Sequence, residues 1–105
     1  MERFDVFLVR LDPTTGAETA KTRPCTILSP DEANRVLATV IIAPMTTVRR
    51  GWPTRTPVTF QGKTGEIALD QLRAVDKTRL VKRLGRLGDE TAVAALDTLG
   101  EMFAP

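Results

Sequence analysis

Two short stretches hold the residues best suited to chemistry. In Lys21-Thr22-Arg23-Pro24, an arginine stands between a polar segment and the apolar run Cys25-Thr26-Ile27-Leu28. Proline has no backbone N–H and biases the residue before it toward an extended conformation. Arg23 is therefore expected at a strand entrance, just behind a loop, where its planar fork of donors matches the oxygens of a phosphate. Taken alone, these four residues are explained more simply as a solvated arginine at a strand start. The second stretch is Val48-Arg49-Arg50-Gly51-Trp52-Pro53-Thr54-Arg55, in which three arginines surround the one tryptophan of the chain. Basic residues interleaved with an aromatic can hold phosphates and stack a base. The same residues also suit a solvated loop with Trp52 folded onto the edge of the core.

Composition narrows the chemistry. The 105 residues predict one domain, spanning 1–105, and 42% hydrophobic content is enough for one core. With 15 Lys+Arg against 13 Asp+Glu, the net charge of +2 permits nucleic-acid binding without demanding it. There is no histidine, which excludes histidine acid–base catalysis and histidine metal ligation. The single cysteine, Cys25, cannot form an internal disulfide and, in its apolar run, is expected to pack as a small buried residue. No acidic cluster has metal-ligand spacing, since Asp31-Glu32 and Asp89-Glu90 read as helix starts, so neither metal nor cofactor is expected. Charges at Glu2, Arg3 and Asp5 stand where a signal peptide would be apolar, and no run is long enough for a membrane span. A cytoplasmic protein is the expectation.

The elements that must position these residues are mostly short strands. Phe4 to Leu11 is aromatic and β-branched, nearly continuous in its apolar character, and predicts a strand buried on much of both faces. Asp12-Pro13 ends it, and the polar segment Asp12–Thr22 reads as a binding loop or a tolerated insertion. Cys25–Ser29 predicts a second strand, and Ser29-Pro30-Asp31-Glu32 a short helix with a capping serine. Val36–Ala43 predicts a central strand ending at Pro44. Arg55–Phe60 contains Pro57 and so reads as an edge strand, followed by a turn at Gln61-Gly62-Lys63 and a strand from Gly65 to Leu69. Asp70–Val75 extends the sheet after a bend, and Asp76–Arg79 reads as a capped single turn. Leu80–Leu87 fits strand and helix alike. The last element is an amphipathic helix with Ala92, Val93, Leu96, Leu99 and Phe103 on one face. The sum is a mainly β chain: a small, strongly curved sheet or barrel with a C-terminal helix.

At this point the order of residues resembles the PemK/MazF family of toxin endoribonucleases of bacterial toxin–antitoxin pairs. The matching pieces are Leu11-Asp12-Pro13-Thr14, Gly16-x-Glu18, Lys21-Thr22-Arg23-Pro24, Leu28-Ser29-Pro30 with Asn34-Arg35, Pro44-Met45-Thr46-Thr47, and Asp70-Gln71-Leu72-Arg73 with Asp76. The resemblance implies an SH3-like barrel, a symmetric homodimer, and metal-independent cleavage of single-stranded RNA at a short sequence. The family's key arginine falls on Arg23 and its key threonine on Thr46. An aspartate used by some PemK-type members falls on Asp70. Glu18, Lys21, Thr47, Gln71 and Arg73 become candidate substrate contacts within the matched motifs, beside Arg49, Arg50 and Trp52 of the basic loop. Two positions depart from the pattern. A histidine after the loop glycine is Ala17 here, and an arginine two residues before the aspartate is Ala68. Their roles do not carry over, which concentrates the chemistry on Arg23 and Thr46.

RNA carries its own nucleophile, the 2′-OH, and in-line attack builds negative charge on a five-coordinate phosphorus. A site can act largely by positioning the ribose and stabilising that charge. Arg23 suits the charge, and the Thr46 hydroxyl suits a non-bridging oxygen or the 2′-OH. Asp70, Glu18, Arg23 and water all stand as candidates for moving the protons. A cognate acidic antitoxin, with a segment that folds over the basic loop, is the expected partner. Two other functions remain open. One is a non-enzymatic poison of DNA gyrase, as in the CcdB toxins that share this fold, whose activity depends on a tryptophan-containing C-terminal motif that Gly100–Pro105 lacks. The other is a binding module weakened by Ala17 and Ala68.

Overall fold

The computed structural model describes residues 1–11 and 22–105. The Asp12–Thr22 loop reading, apart from Thr22, lies outside the described residues, as do Ala17, Glu18 and Lys21. In chain order the elements are β1 (Asp5–Arg10), β2 (Thr22–Ile27), α1 (Asp31–Val36), β3 (Thr39–Thr46), β4 (Arg55–Phe60), β5 (Lys63–Ala68), β6 (Arg73–Asp76), β7 (Leu80–Arg86) and α2 (Asp89–Met102). The strands form one antiparallel sheet in the order β4-β5-β3-β2-β1-β7, with β6 also paired to β3.

Apolar side chains on both faces hold this sheet. Val6 of β1 packs with Leu28, Ala43, Ile67, Leu69 and Ala95, whereas Val9 of the same strand packs with Cys25, Ile27, Val40 and Ile42. The nearly continuous apolar run of β1 is thus explained by burial on two sides. β4 lies at the sheet edge, as Pro57 requires. Its turn to β5 has two central residues, Gln61 (φ 51°) and Gly62 (φ 78°), between the paired Phe60 and Lys63. Two successive positive φ angles match the right-handed twist of the strands they join. The hairpin tip leans onto β7: Gln61 Nε2 donates to the Leu84 carbonyl at 3.1 Å. The Phe60 ring sits over Gly85, where a Cβ would lie 3.1 Å from the ring. These contacts curl the sheet toward closure.

Several sequence expectations change in detail. β3 does not open at Val36 and does not stop at Pro44. It runs from Thr39 to Thr46, and Val36 and Leu37 remain 80% and 52% exposed at the end of α1. Pro44 is tolerated because β3 changes neighbours there, pairing with β6 as far as Ile42 and with β5 from Met45. No ladder donor is needed on that side at Pro44. Ser29 does not cap α1; Pro30 occupies the cap position. The buried Ser29 hydroxyl instead donates to Asn34 Oδ1 at 2.6 Å and accepts from the Ile41 amide at 3.0 Å, tying α1 to β3. Leu80–Leu87 resolves as a strand, β7 ending at Arg86. Its pairing with β1 shifts register twice, which breaks the clean alternation that would have marked it. The Asp76 turn is as expected, with the Thr78 amide donating to Asp76 Oδ1 at 2.9 Å. On α2 the buried stripe is Ala92 and Ala95, continued by Leu99 and Met102. Val93 (58%), Leu96 (37%) and Phe103 (72%) lie outward, because the small alanines let the helix sit close to the sheet and leave the larger side chains on the flank. No helix among the described residues is long and apolar enough to cross a membrane.

Candidate functional site

The start of β2, the end of β3, the β4–β5 hairpin and β7 converge on a cavity of about 500 Å³. Arg23, Thr46 and Thr47 line it together, with Lys63 at the hairpin and Met45 and Phe60 among its apolar residues. Arg23 is half-buried and paired with Val9 of β1. The β3 register begins only at Cys25, so Pro24 lies past the last β2–β3 pair. Burial pushes the Cys25 thiol up to about 12 despite the nearby charges of Arg23 and Arg73. The thiol is therefore inert as a nucleophile.

Thr46 ends β3 directly opposite Glu66 of β5. Its Oγ1 accepts from the Val48 amide at 3.1 Å. With that lone pair engaged, the hydroxyl hydrogen remains for an outside acceptor such as a phosphate oxygen. Gly65 lets β5 approach this point: a Cβ there would lie 2.0 Å from the Thr46 carbonyl oxygen.

The basic loop is organised by a residue that the sequence reading did not single out. Glu66 is 1% exposed, and its carboxylate accepts the Arg50 amide at 2.9 Å and the Gly51 amide at 2.8 Å. Arg55 Nη1 stands 3.5 Å from the same carboxylate. The Arg50 amide bond is the largest cause holding the Glu66 pKa below the ordinary glutamate value, with burial opposing it and Gly51, Arg55 and Arg49 assisting. Arg49, Arg50 and Trp52 are exposed along this loop. Trp52 does not simply fold onto the core: the Arg50 and Arg55 guanidinium carbons lie 5.2 and 4.6 Å from its ring centroid.

Asp70 stands elsewhere. It lies in a 3-10 turn over Leu69–Gln71, accepting Arg55 Nε at 2.7 Å and the Thr54 hydroxyl at 3.0 Å. The Arg55 bond is the largest cause lowering its pKa. Asp70 is not among the residues that line the cavity, nor are Gln71, exposed in the same turn, and Arg73, half-buried on β6 opposite Ile42. The structure thus brings Arg23, Thr46 and Thr47 together and sets Arg49, Arg50 and Trp52 on the loop that follows them; Asp70, Gln71 and Arg73 do not line the cavity, although Arg73, like Arg23, acts on the Cys25 thiol. Glu18 and Lys21 lie outside the described residues. Among the described residues no group of three or more His, Cys, Asp or Glu could hold a metal ion. Gly65, Glu66 and Lys63 are the site residues that sequence reasoning missed. The available signal was the lone acid in Lys63-Thr64-Gly65-Glu66-Ile67, set between Gly65 and Ile67 of a short strand.

A curved sheet closed by a β-hairpin, with an arginine and a threonine at one cavity and a basic loop beside it, defines a class of small β proteins. The chain belongs to the PemK-like, MazF-like family of toxins of type II toxin–antitoxin systems, whose model matches residues 2–103. It is 40% identical over 95 residues to an Escherichia coli protein named endoribonuclease PemK, covering 83% of this chain and 70% of that protein. It is 34% identical over 96 residues to endoribonuclease MazF of Staphylococcus saprophyticus, covering 86% of this chain and 80% of that protein. Among solved structures, a mycobacterial endoribonuclease in complex with its cognate antitoxin superposes with a TM-score of 0.82 at 26% identity, covering all of this chain (100%) and 97% of that one. A MazE–MazF complex from Deinococcus radiodurans gives 0.83 at 22% identity, covering 97% and 94%, a likeness that bears on the fold alone.

Proposed function

We propose that this chain is a sequence-specific endoribonuclease that cuts single-stranded RNA through attack of the substrate's own 2′-OH. The observation that carries the reading is that Arg23 and Thr46 line one cavity, in a chain whose relatives at 40% and 34% identity are named endoribonucleases. The Arg23 guanidinium bonds the non-bridging oxygens of the scissile phosphate and offsets the charge that grows on them as the 2′-oxygen attacks. The Thr46 hydroxyl, its oxygen already engaged by the Val48 amide, donates to one of those oxygens and fixes the phosphate in line. The P–O5′ bond breaks as the P–O2′ bond forms, leaving a 2′,3′-cyclic phosphate and a 5′-OH. The 2′-OH proton leaves to solvent or a neighbouring base, and the 5′-oxygen takes one up. Asp70, with a depressed pKa and both oxygens engaged by Arg55, is a weak base, and its role in this scheme is to hold Arg55 and the loop.

Translation and growth arrest follow from cutting mRNA in the cytoplasm. Arg49, Arg50 and Trp52 grip the strand beside the cavity, with Thr47 at its wall. The partner is an acidic antitoxin whose disordered segment folds on docking and covers this surface. The chain works as a homodimer. Incubating the purified protein with defined RNA, and separately with gyrase and supercoiled DNA, tests the reading. RNA cut to cyclic-phosphate ends, in excess EDTA and without effect on gyrase, is the expected result. Gyrase poisoning without RNA cleavage overturns it.

A further inference from the structure

Glu66 has the geometry of a clamp. It is a carboxylate with almost no exposure, yet it accepts the amides of two successive loop residues that are themselves exposed. Two neighbouring N–H groups converge on one carboxylate only when the backbone curves into a concave nest. The same carboxylate faces Arg55, which closes the far end of the loop, is 8% exposed, and is held in turn by Asp70. Glu66 therefore fixes the loop at both ends, and it does so from the position directly opposite Thr46 in the sheet. A burial cost of this kind is tolerated when the group is fully bonded. Fold stability alone would be served as well by apolar residues in place of the whole Glu66–Arg55 pair.

We infer that Glu66 is a positioning residue for RNA recognition, holding Arg49, Arg50 and Trp52 at a fixed distance from the cavity that contains Arg23 and Thr46. The inference rests on the endoribonuclease reading above. A neutral amide cannot replace the carboxylate. Glutamine offers one acceptor oxygen and turns its –NH₂ toward the second backbone N–H, so one loop bond and the pairing with Arg55 are lost. The cleavage chemistry, lying with Arg23 and Thr46, stays in place.

The test compares four proteins: the unaltered chain, Glu66→Gln, the surface variant Arg49→Ala/Arg50→Ala/Trp52→Ala, and the two sets combined. Each is measured for kcat and KM on a short RNA, and for binding to the same RNA carrying a 2′-deoxy group at the cut position. Glu66→Gln is expected to raise KM and weaken binding by about 10-fold, the scale of one lost charge-assisted hydrogen bond, with kcat changed by less than about threefold. In the loop-stripped background it should add less than about twofold, because both changes act through the same contacts. A fall in kcat with KM unchanged, or a full 10-fold effect persisting without the loop side chains, overturns the inference. Should Glu66→Gln not fold, amide exchange in the unaltered protein decides. Arg50 and Gly51 amides protected by at least about 10-fold support the clamp, and exchange at the rate of an open loop refutes it. If the unaltered protein cuts no RNA, the endoribonuclease reading fails; if it cuts and the variant behaves as the parent, only the role of Glu66 fails.

Discussion

Gly65 and Thr46 touch main chain to main chain: β5 crosses β3 so closely that a methyl group on Gly65 would sit 2.0 Å from the Thr46 carbonyl oxygen. The neighbour is backbone in a paired strand and cannot swing aside. Gly65→Ala is therefore expected to force the strands apart, costing about 3 kcal/mol and lowering Tm. Cleavage should fall further than the loss of folded protein explains, because Thr46 moves with the strand. Thermal melts by circular dichroism beside cleavage assays at a temperature where the variant is folded check both parts. A variant that melts with the parent would show that the strands do not approach in this way.

Arg55 joins two carboxylates, Asp70 at 2.7 Å and Glu66 at 3.5 Å, while its own side chain is 4% exposed. Replacing it with methionine keeps the volume and leaves Glu66 buried without its ion-pair partner. Such a broken buried pair costs about 3 kcal/mol. Urea unfolding of Arg55→Met should show a lower midpoint with an unchanged slope, and Trp52 fluorescence should change because the ring loses its nearest guanidinium. An unaltered midpoint would mean that the network adds nothing to the fold.

Acid stability follows from the same cluster. The folded-state pKa of Glu66 lies below its ordinary 4.5, chiefly through the Arg50 amide, and that of Asp70 lies below 3.8, chiefly through Arg55. The folded chain thus binds fewer protons than the unfolded chain in this range. The stabilisation is complete above about pH 4.5 and is lost as pH falls through the folded values. Melting temperature should drop as pH falls below 4.5, and Glu66→Gln should show a shallower drop from a lower starting point. Parallel curves for the two proteins would remove Glu66 as a contributor.

What the sequence disclosed depended on whether local chemistry decided the outcome. Pro57 marked an edge strand and Asp76 a capped turn because each acts on its own backbone. Arg23 and Thr46 could be picked out by type and motif, and they share one cavity. The errors arose where distant partners decided. Ser29 has every property of a cap, yet Ile41 and Asn34 claim its hydroxyl. The outward placement of Val93 and Leu96 is set by the sheet accepting Ala92 and Ala95 instead. Glu66 is one acid in a strand, and only the fold brings the Arg50 and Gly51 amides, 16 and 15 residues away, to meet it.

Exposed apolar side chains on α2, with Val36 and Leu37 elsewhere, leave surface that a second copy would cover. Light scattering at micromolar concentration is expected to give twice the chain mass. A monomer that retains full cleavage activity would remove the homodimer from the mechanism.

The most direct measurement is single-turnover cleavage of a short RNA by the unaltered protein and by Arg23→Ala, Arg23→Lys and Thr46→Ala. It is run beside the same RNA with a 2′-deoxy group at the scissile position, all in excess EDTA. Arg23→Ala should slow cleavage about 10²–10³-fold, as expected for losing one charged donor to the transition state. Arg23→Lys should recover little, because an ammonium lacks the planar fork, and Thr46→Ala should be the next most damaging. The deoxy substrate should remain whole, and the RNA product should end in a 2′,3′-cyclic phosphate. Cleavage of the deoxy substrate, or normal cleavage by a folded Arg23→Ala protein, would contradict 2′-OH attack at a site built on Arg23.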